Sequence, residues 1–287
     1  MDRKRLAAVA ATLSAAALWG TSFPVIKVGL ETVNPYSFLA WRFIVAALLM
    51  MLIHYLRKGK FGRLVTRRTL LVGFILSLSF LFQYVGQVTT TAAEAAVLLN
   101  TGPIIVPVLA YFLISEKLSS RRWPAVGIGV FGIVFTSGVI GSGGVSSSLY
   151  GARALLLGAL FTSVYIVVTK SQSGEAEPVE LFTGSFICAA IFVSVYSAVT
   201  GNLSASLWYN AGPASSVLYL SVMCTIVPFL LWFRGLRGLT ATASTVITLF
   251  EPVVSILISV FILDEQFTLF EFGGTVLIFA AILWMSI

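Results

Sequence analysis

The sequence predicts an all-α polytopic membrane protein whose ten transmembrane helices form two five-helix, inverted-topology repeats. Three observations carry that expectation. The 287 residues are 58% hydrophobic and only 10% charged, against roughly 25% charged in a soluble domain. Apolar runs recur along the whole chain with short polar breaks between them. The second half also repeats the pattern of the first. So little polar surface excludes a soluble enzyme, a secreted scaffold and a disordered chain.

The apolar runs fall at 6–29, 35–56, 69–89, 92–114, 123–140, 150–170, 179–200, 214–235, 240–263 and 268–286. Each is close to the ~20 residues that a spanning helix needs. The first follows Arg3-Lys4-Arg5, as in a signal peptide, but continues past Trp19 without a small-residue cleavage site, so it reads as a span. Asn34-Pro35 opens the second helix, and the basic run from Arg57 to Arg68 separates it from the third. Only Thr89-Thr90-Thr91 parts the third from the fourth, the weakest boundary in the chain. Glu116-Lys117, Gly141-Ser142-Gly143-Gly144, Gly201-Asn202 and Asp264-Glu265 end the fourth, fifth, seventh and ninth.

A net charge of +7 would suggest nucleic acid in a soluble protein; here it reads as an orientation signal. With the N-terminus inside, the inner segments hold Arg3, Lys4, Arg5, then Arg57, Lys58, Lys60, Arg63, Arg67 and Arg68. Lys117, Arg121, Arg122, Lys170, Arg234 and Arg237 follow on the same side, and only Arg153 falls near an outer loop. Both termini are therefore expected in the cytoplasm, in a bacterial-type inner membrane. Cys188 and Cys224 lie inside apolar runs, which suits neither a disulfide framework nor a metal site. No cofactor is expected. The expected partners are a small-molecule substrate and the lipid bilayer, not nucleic acid; the sequence leaves the oligomeric state open, a monomer included.

Shifting the chain by 149 residues lays Phe80–Glu116 on Phe229–Glu265 without a gap. Phe80, Leu81, Gly86, Thr91, Ala92, Val97, Pro103, Phe112 and Glu116 recur as Phe229, Leu230, Gly235, Thr240, Ala241, Val246, Pro252, Phe261 and Glu265. A weaker register near 143 sets Asn34-Pro35 against Glu177-Pro178. The halves are 1–145 and 146–287. Five helices is an odd number, so the second half enters the membrane from the opposite side. Such repeats point to alternating access around a midplane site.

The residues Leu18-Trp19-Gly20 with Phe23, Trp41-Arg42-Phe43, Pro103 with Glu116-Lys117-Leu118, and Glu251-Pro252-Val253 with Asp264-Glu265 carry a resemblance. The chain resembles the drug/metabolite transporter superfamily, in the family built from two EamA-type halves. That resemblance covers the whole chain. It implies a ten-helix secondary transporter that exports small metabolites, similar to bacterial amino-acid exporters, those for aromatic amino acids included.

Pro24, Pro103, Pro107, Pro228 and Pro252 lie well inside spans, where proline frees the carbonyl four residues earlier: Gly20 for Pro24, Leu99 for Pro103, Cys224 for Pro228, Thr248 for Pro252. Pro24, Pro103, Pro228 and Pro252 are the expected hinges, with kinks at Pro103 and Pro252 bending matched helices around one cavity; packing kinks are the alternative. Large polar groups at depth are costly in lipid and mark candidate substrate contacts, Gln83 and Asn100 first, with Thr101 and Thr169 beside them. Trp19, Phe23, Tyr84, Tyr165 and Trp232 can wall a cavity for a flat side chain, although many aromatics only pack. Lys27 could attract a substrate carboxylate or reach the headgroups. Arg42, two turns into the second helix, reads as a structural partner of Glu31, Glu94 or freed carbonyls. Glu251 at mid-helix is a candidate for a proton-coupling role, against a packing hydrogen bond beside the kink. His54, next to the basic loop, reads as a surface residue.

An intramembrane enzyme would want clustered His, paired Asp or a nucleophile motif at depth; one peripheral His and no second buried carboxylate near Glu251 argue against it, and no enzyme is expected. An exporter of drugs or other neutral metabolites stays open, although the first helix offers Lys27 and no carboxylate for a cation. A phosphate-ester carrier would want more buried Lys and Arg.

The charge distribution yields a direct test. A reporter cysteine placed in the 141–148 loop should react with an impermeant maleimide added outside intact cells, and one in the 57–68 loop should not. The opposite labelling pattern would reverse the orientation.

Overall fold

The computed structural model describes residues 3–60, 62, 64–136, 149–263 and 269–286, whose regular structure is all helical. Helices α1 (Arg3–Gly20) and α2 (Ser22–Leu30) form one rod, broken at Thr21. Next come α3 (Pro35–Leu56) and α4 (Arg67–Gln87). The fourth rod joins α5 (Ala92–Leu99) to α6 (Gly102–Ile114) across Asn100-Thr101. Then follow α7 (Trp123–Thr136), α8 (Leu149–Gln172) and α9 (Pro178–Val199). The eighth rod runs from α10 (Ala211–Ser221) through a π-helical turn, Val222–Ile226, into α11 (Val227–Gly238). The ninth joins α12 (Ala241–Thr248) to α13 (Phe250–Leu263) at Leu249, and α14 (Leu269–Ser286) is the tenth. Eight rods are long and apolar enough to cross a membrane, and α14 adds a shorter apolar stretch, Phe272–Met285. Among the described residues the expected ten-rod order is therefore present. The 141–144 and 264–265 breaks lie outside them.

Short side chains set the rod boundaries. Asn34 accepts from Tyr36 N at 3.0 Å ahead of Pro35, and Glu177 accepts from Glu180 N at 2.7 Å ahead of Pro178. Each is a side-chain cap followed by proline at the first helical position, where its missing N–H costs nothing. The weak boundary after the third rod is held by a capping box: Glu94 N donates to Thr91 Oγ1, and Thr91 N to Glu94 Oε2, both at 3.1 Å. Thr240, at the 149-residue offset from Thr91, caps α12 through Ala243 N.

Packing follows the same offsets. α4 lies along α8, and α11 lies along α1. In the first pair Gly86 meets the Gly151 carbonyl, 3.0 Å from where a Cβ would sit; in the second, Gly235 meets the Ala8 carbonyl at 2.8 Å. Neither site has room for a side chain, so backbones approach closely, as small residues permit in membranes. α3 packs on α9, and α7 on α14 at one edge of the bundle. Leu48, Leu52, Phe74, Ile191, Val199 and Phe261 stay exposed on the outer surface, where lipid is the natural neighbour.

Loop contacts gather at two ends. At the basic end Arg57 and Arg68 pair with Glu177 and Glu175, and Glu116 accepts from Ala241 N at 2.8 Å and Thr242 N at 3.2 Å. At the opposite end Asn34 donates to Asn202, while Ser37 and Trp41 both donate to Ser204 O at 2.8 Å. His54 corrects the surface reading: it is 2% exposed, beneath Gly59, whose absent Cβ leaves space for the imidazole.

Two lysines close the ends in the same way. Lys27 Nζ donates to Gln87 O at 3.2 Å and Thr90 O at 2.6 Å. Lys170 Nζ donates to Leu236 O at 2.7 Å and Leu239 O at 2.6 Å. The acceptors stand 149 residues apart and the donors 143 apart. A hydrogen bond from a charged group contributes about 1.5–3 kcal/mol. Lys27→Met and Lys170→Met should each lower the thermal midpoint in detergent, on the order of 5 °C, while exposed Lys60→Met leaves it unchanged. Equal midpoints for all three would remove the lysines from the stability account.

Candidate functional site

The interrupted rods bring their breaks to similar depth. Asn100 stands eight residues beyond the start of α5 and Leu249 eight beyond the start of α12, about 12 Å by helical rise into a hydrocarbon layer ~30 Å thick. α5 packs on α13 and α6 on α12, so the two breaks face each other. Three of the expected hinge prolines follow a break in their rod, and Pro228 follows the π-helical turn of an unbroken run. Each begins a second segment: Pro103 and Pro228 are the second residues of α6 and α11, and Pro24 and Pro252 the third of α2 and α13.

Between the breaks lies a cavity of about 90 Å³. It is lined from the first, third, fourth, sixth, eighth and ninth rods, with Arg42 from the second. One wall is aromatic. Tyr165 stacks on Trp232 at 5.8 Å and 23°, and Trp19 meets Phe229 edge-on at 5.2 Å and Trp232 at 6.0 Å. Trp232 Nε1 donates to Ser244 Oγ at 2.9 Å, which fixes that ring. Offset and edge-to-face contacts of this kind add to area burial and hold the wall rigid.

The polar wall is made by Ser22, Ser79, Gln83, Asn100, Thr162, Thr245, Thr248 and Glu251. Asn100 donates to Ala96 O at 2.9 Å, and its amide stands beside the Glu251 carboxyl. Gln83, 4% exposed, makes no side-chain hydrogen bond to another described residue. Glu251 keeps part of its surface open because it borders the cavity.

Arg42 is 1% exposed and has no acidic partner among the described residues. Its Nε donates to Thr225 Oγ1 at 2.8 Å, Nη1 to Tyr84 OH at 3.2 Å and Nη2 to Cys224 O at 2.8 Å. The last acceptor is the carbonyl that Pro228 frees in the π-helical turn. Of the alternatives for Arg42, the freed carbonyl is present, and Glu31 and Glu94 are not its partners. The guanidinium carbon also stands 4.7 Å from the Phe80 ring centre.

Five of the nine expected contact residues meet in this cavity: Trp19, Gln83, Asn100, Tyr165 and Trp232. Four do not line it. Phe23 is fully buried against α5; Tyr84 is buried on Arg42; Thr101 turns back to donate to Leu98 O; Thr169 is buried farther along α8. Glu251 lines the cavity, whereas Lys27 is engaged with the Gln87 and Thr90 carbonyls.

Residues absent from the sequence expectation could have been found from the repeat. Phe80 and Phe229, Gln83 and Trp232, Leu99 and Thr248, and Gly102 and Glu251 are pairs at the 149 offset, and every one lines the cavity. Trp19 and Thr162, and Ser22 and Tyr165, pair at 143 and line it too. The cavity therefore sits where repeat-equivalent positions converge.

The model of the EamA-like transporter family matches residues 6–138 and again 149–287. The chain is 25% identical over 272 residues to "Uncharacterized transporter YoaV" of Bacillus subtilis (strain 168), covering 93% of this chain and 92% of that protein. An "Uncharacterized transporter" of Archaeoglobus fulgidus is 22% identical over 272 residues, with 92% of each chain covered. A solved structure described only as "Crystal structure of protein" superposes with TM-score 0.79 at 18% identity, over 96% of this chain and 95% of that one. At that identity the likeness speaks for fold alone.

Proposed function

The chain belongs to the EamA-like transporter family, and from that premise we propose that it exports small metabolites, most of all amino acids, aromatic ones included. Membership itself makes it a multi-pass membrane transporter. The substrate class, the export direction and the bacterial-type inner membrane belong to the proposal.

The cavity supports the reading: a compact mid-depth site with a rigid aromatic wall facing amides, hydroxyls and one carboxylate. A flat or branched side chain packs on Trp19, Tyr165 and Trp232. The ammonium of an amino acid faces Glu251 and Asn100, and Gln83 offers a donor and an acceptor. The paired offsets support two inverted halves, 1–145 and 146–287, that rock about this site. The breaks before Pro24, Pro103, Pro228 and Pro252 are where that rocking bends the rods. Glu251 is the group that would exchange a proton for the substrate ammonium.

The same carboxylate and rings would suit a lipophilic cation, which keeps an exporter of drugs as the second reading.

Purified protein in liposomes should move labelled amino acids, faster with a pH gradient than without one, and Glu251→Gln should remove the gradient effect. Movement of a lipophilic cation with no movement of any amino acid would overturn the reading. Asn100→Ala and Gln83→Ala should each weaken transport about tenfold, since a hydrogen bond to a charged ligand group contributes about 1.5–3 kcal/mol. Ile278→Val, in α14 away from the cavity, should transport like the parent. Parent-like activity in both polar variants would displace the site from the cavity.

A further inference from the structure

We propose that Arg42 binds a carboxylate of the transported molecule, opposite Glu251, so that the cavity selects a substrate with an acidic group at one end; this rests on the transport reading above.

Among the described residues, Arg42 is a cation inside the bundle with only neutral acceptors, Thr225, Tyr84 and the Cys224 carbonyl. Those three bonds fix the plane of the guanidinium, and they use three of its five N–H groups. The remaining two, one on each terminal nitrogen, suit the two oxygens of a carboxylate. A buried charge with no carboxylate in hydrogen-bond reach is costly in lipid, and a substrate carboxylate would come within that reach. Lys27 and Lys170 cannot serve, because their ammonium groups are committed to carbonyls and line no part of the cavity.

The repeat sharpens the inference. The position 143 residues after Arg42 is Ser185, whose hydroxyl donates to Leu181 O within its own helix. The position 149 residues before Glu251 is Gly102. Each half thus contributes one charge to the cavity, and the other half answers with a small residue. The cavity is therefore dipolar, with its cation from the second rod and its carboxylate from the ninth. That arrangement reads the polarity of a zwitterion rather than its shape alone.

The test uses purified protein and four related probes: phenylalanine, phenylalaninamide, 3-phenylpropionate and 2-phenylethylamine, each titrated by thermal shift. The two acids should bind at least roughly tenfold more tightly than the amide and the amine, and Arg42→Lys should shrink that preference, because an ammonium lacks the planar fork. The comparison among probes needs only the unmodified protein, so it stands if the variant fails to fold. Binding of 3-phenylpropionate but not phenylalanine would keep the Arg42 assignment and overturn the amino-acid reading. Equal binding of phenylalanine and its amide would overturn the Arg42 assignment and leave amino-compound transport standing. Binding of neither acid would overturn the assignment.

Discussion

A backbone in lipid must satisfy its own polar groups, since no water is present to do it. Interrupting a spanning helix releases carbonyls and amides at the depth where an unpaired group costs most. Among the described residues four rods are interrupted, and the placement of the polar residues follows from that choice. Beside Thr21, the Leu18 carbonyl receives the Thr21 hydroxyl at 2.7 Å and the Cys224 thiol at 3.4 Å. Beside Asn100, Ala96 O and Leu98 O receive Asn100 and Thr101. Beside Leu249, Thr248 turns back to Thr245 O. In the π-helical turn the donor is Arg42, reaching in from another helix. Short hydroxyl and amide side chains, which compete with regular helix elsewhere, here compensate for its interruption.

The same constraint separates what the sequence discloses from what it hides. Rod order is legible because hydrophobic length is a one-dimensional signal, and Asn34-Pro35, Glu177-Pro178 and Thr91 mark starts through local chemistry. The cavity's framing helices are legible because buried prolines and amides are expensive and therefore concentrated. Individual contacts are less so. Helical spacing cannot tell which side of a buried helix faces the site, so Tyr84 and Gln83, adjacent in sequence, divide between Arg42 and the cavity. His54 illustrates another blind spot. A residue beside a basic loop reads as exposed until the loop folds over it, and here Gly59 permits that.

Lys27 and Lys170 are like residues 143 apart, so their equivalence is legible in the weaker register. What they bind is not, because backbone carbonyls carry no sequence signature. Once seen, those bonds make Lys170 more than an orientation charge and Lys27 less than a substrate contact.

The aromatic wall has an optical consequence. The chain has six tryptophans, and Trp19 and Trp232 border the cavity within 6.0 Å of each other. Trp41 and Trp208 instead meet at 5.5 Å near the Ser204 carbonyl at one end of the bundle. Indole emission responds to nearby charge and to the polarity of its surroundings. A charged molecule seated against Trp19 and Trp232 therefore changes the colour and yield of two emitters, while the pair at the end keeps its own surroundings. The cavity thus carries its own fluorescent gauge of occupancy, with no label attached.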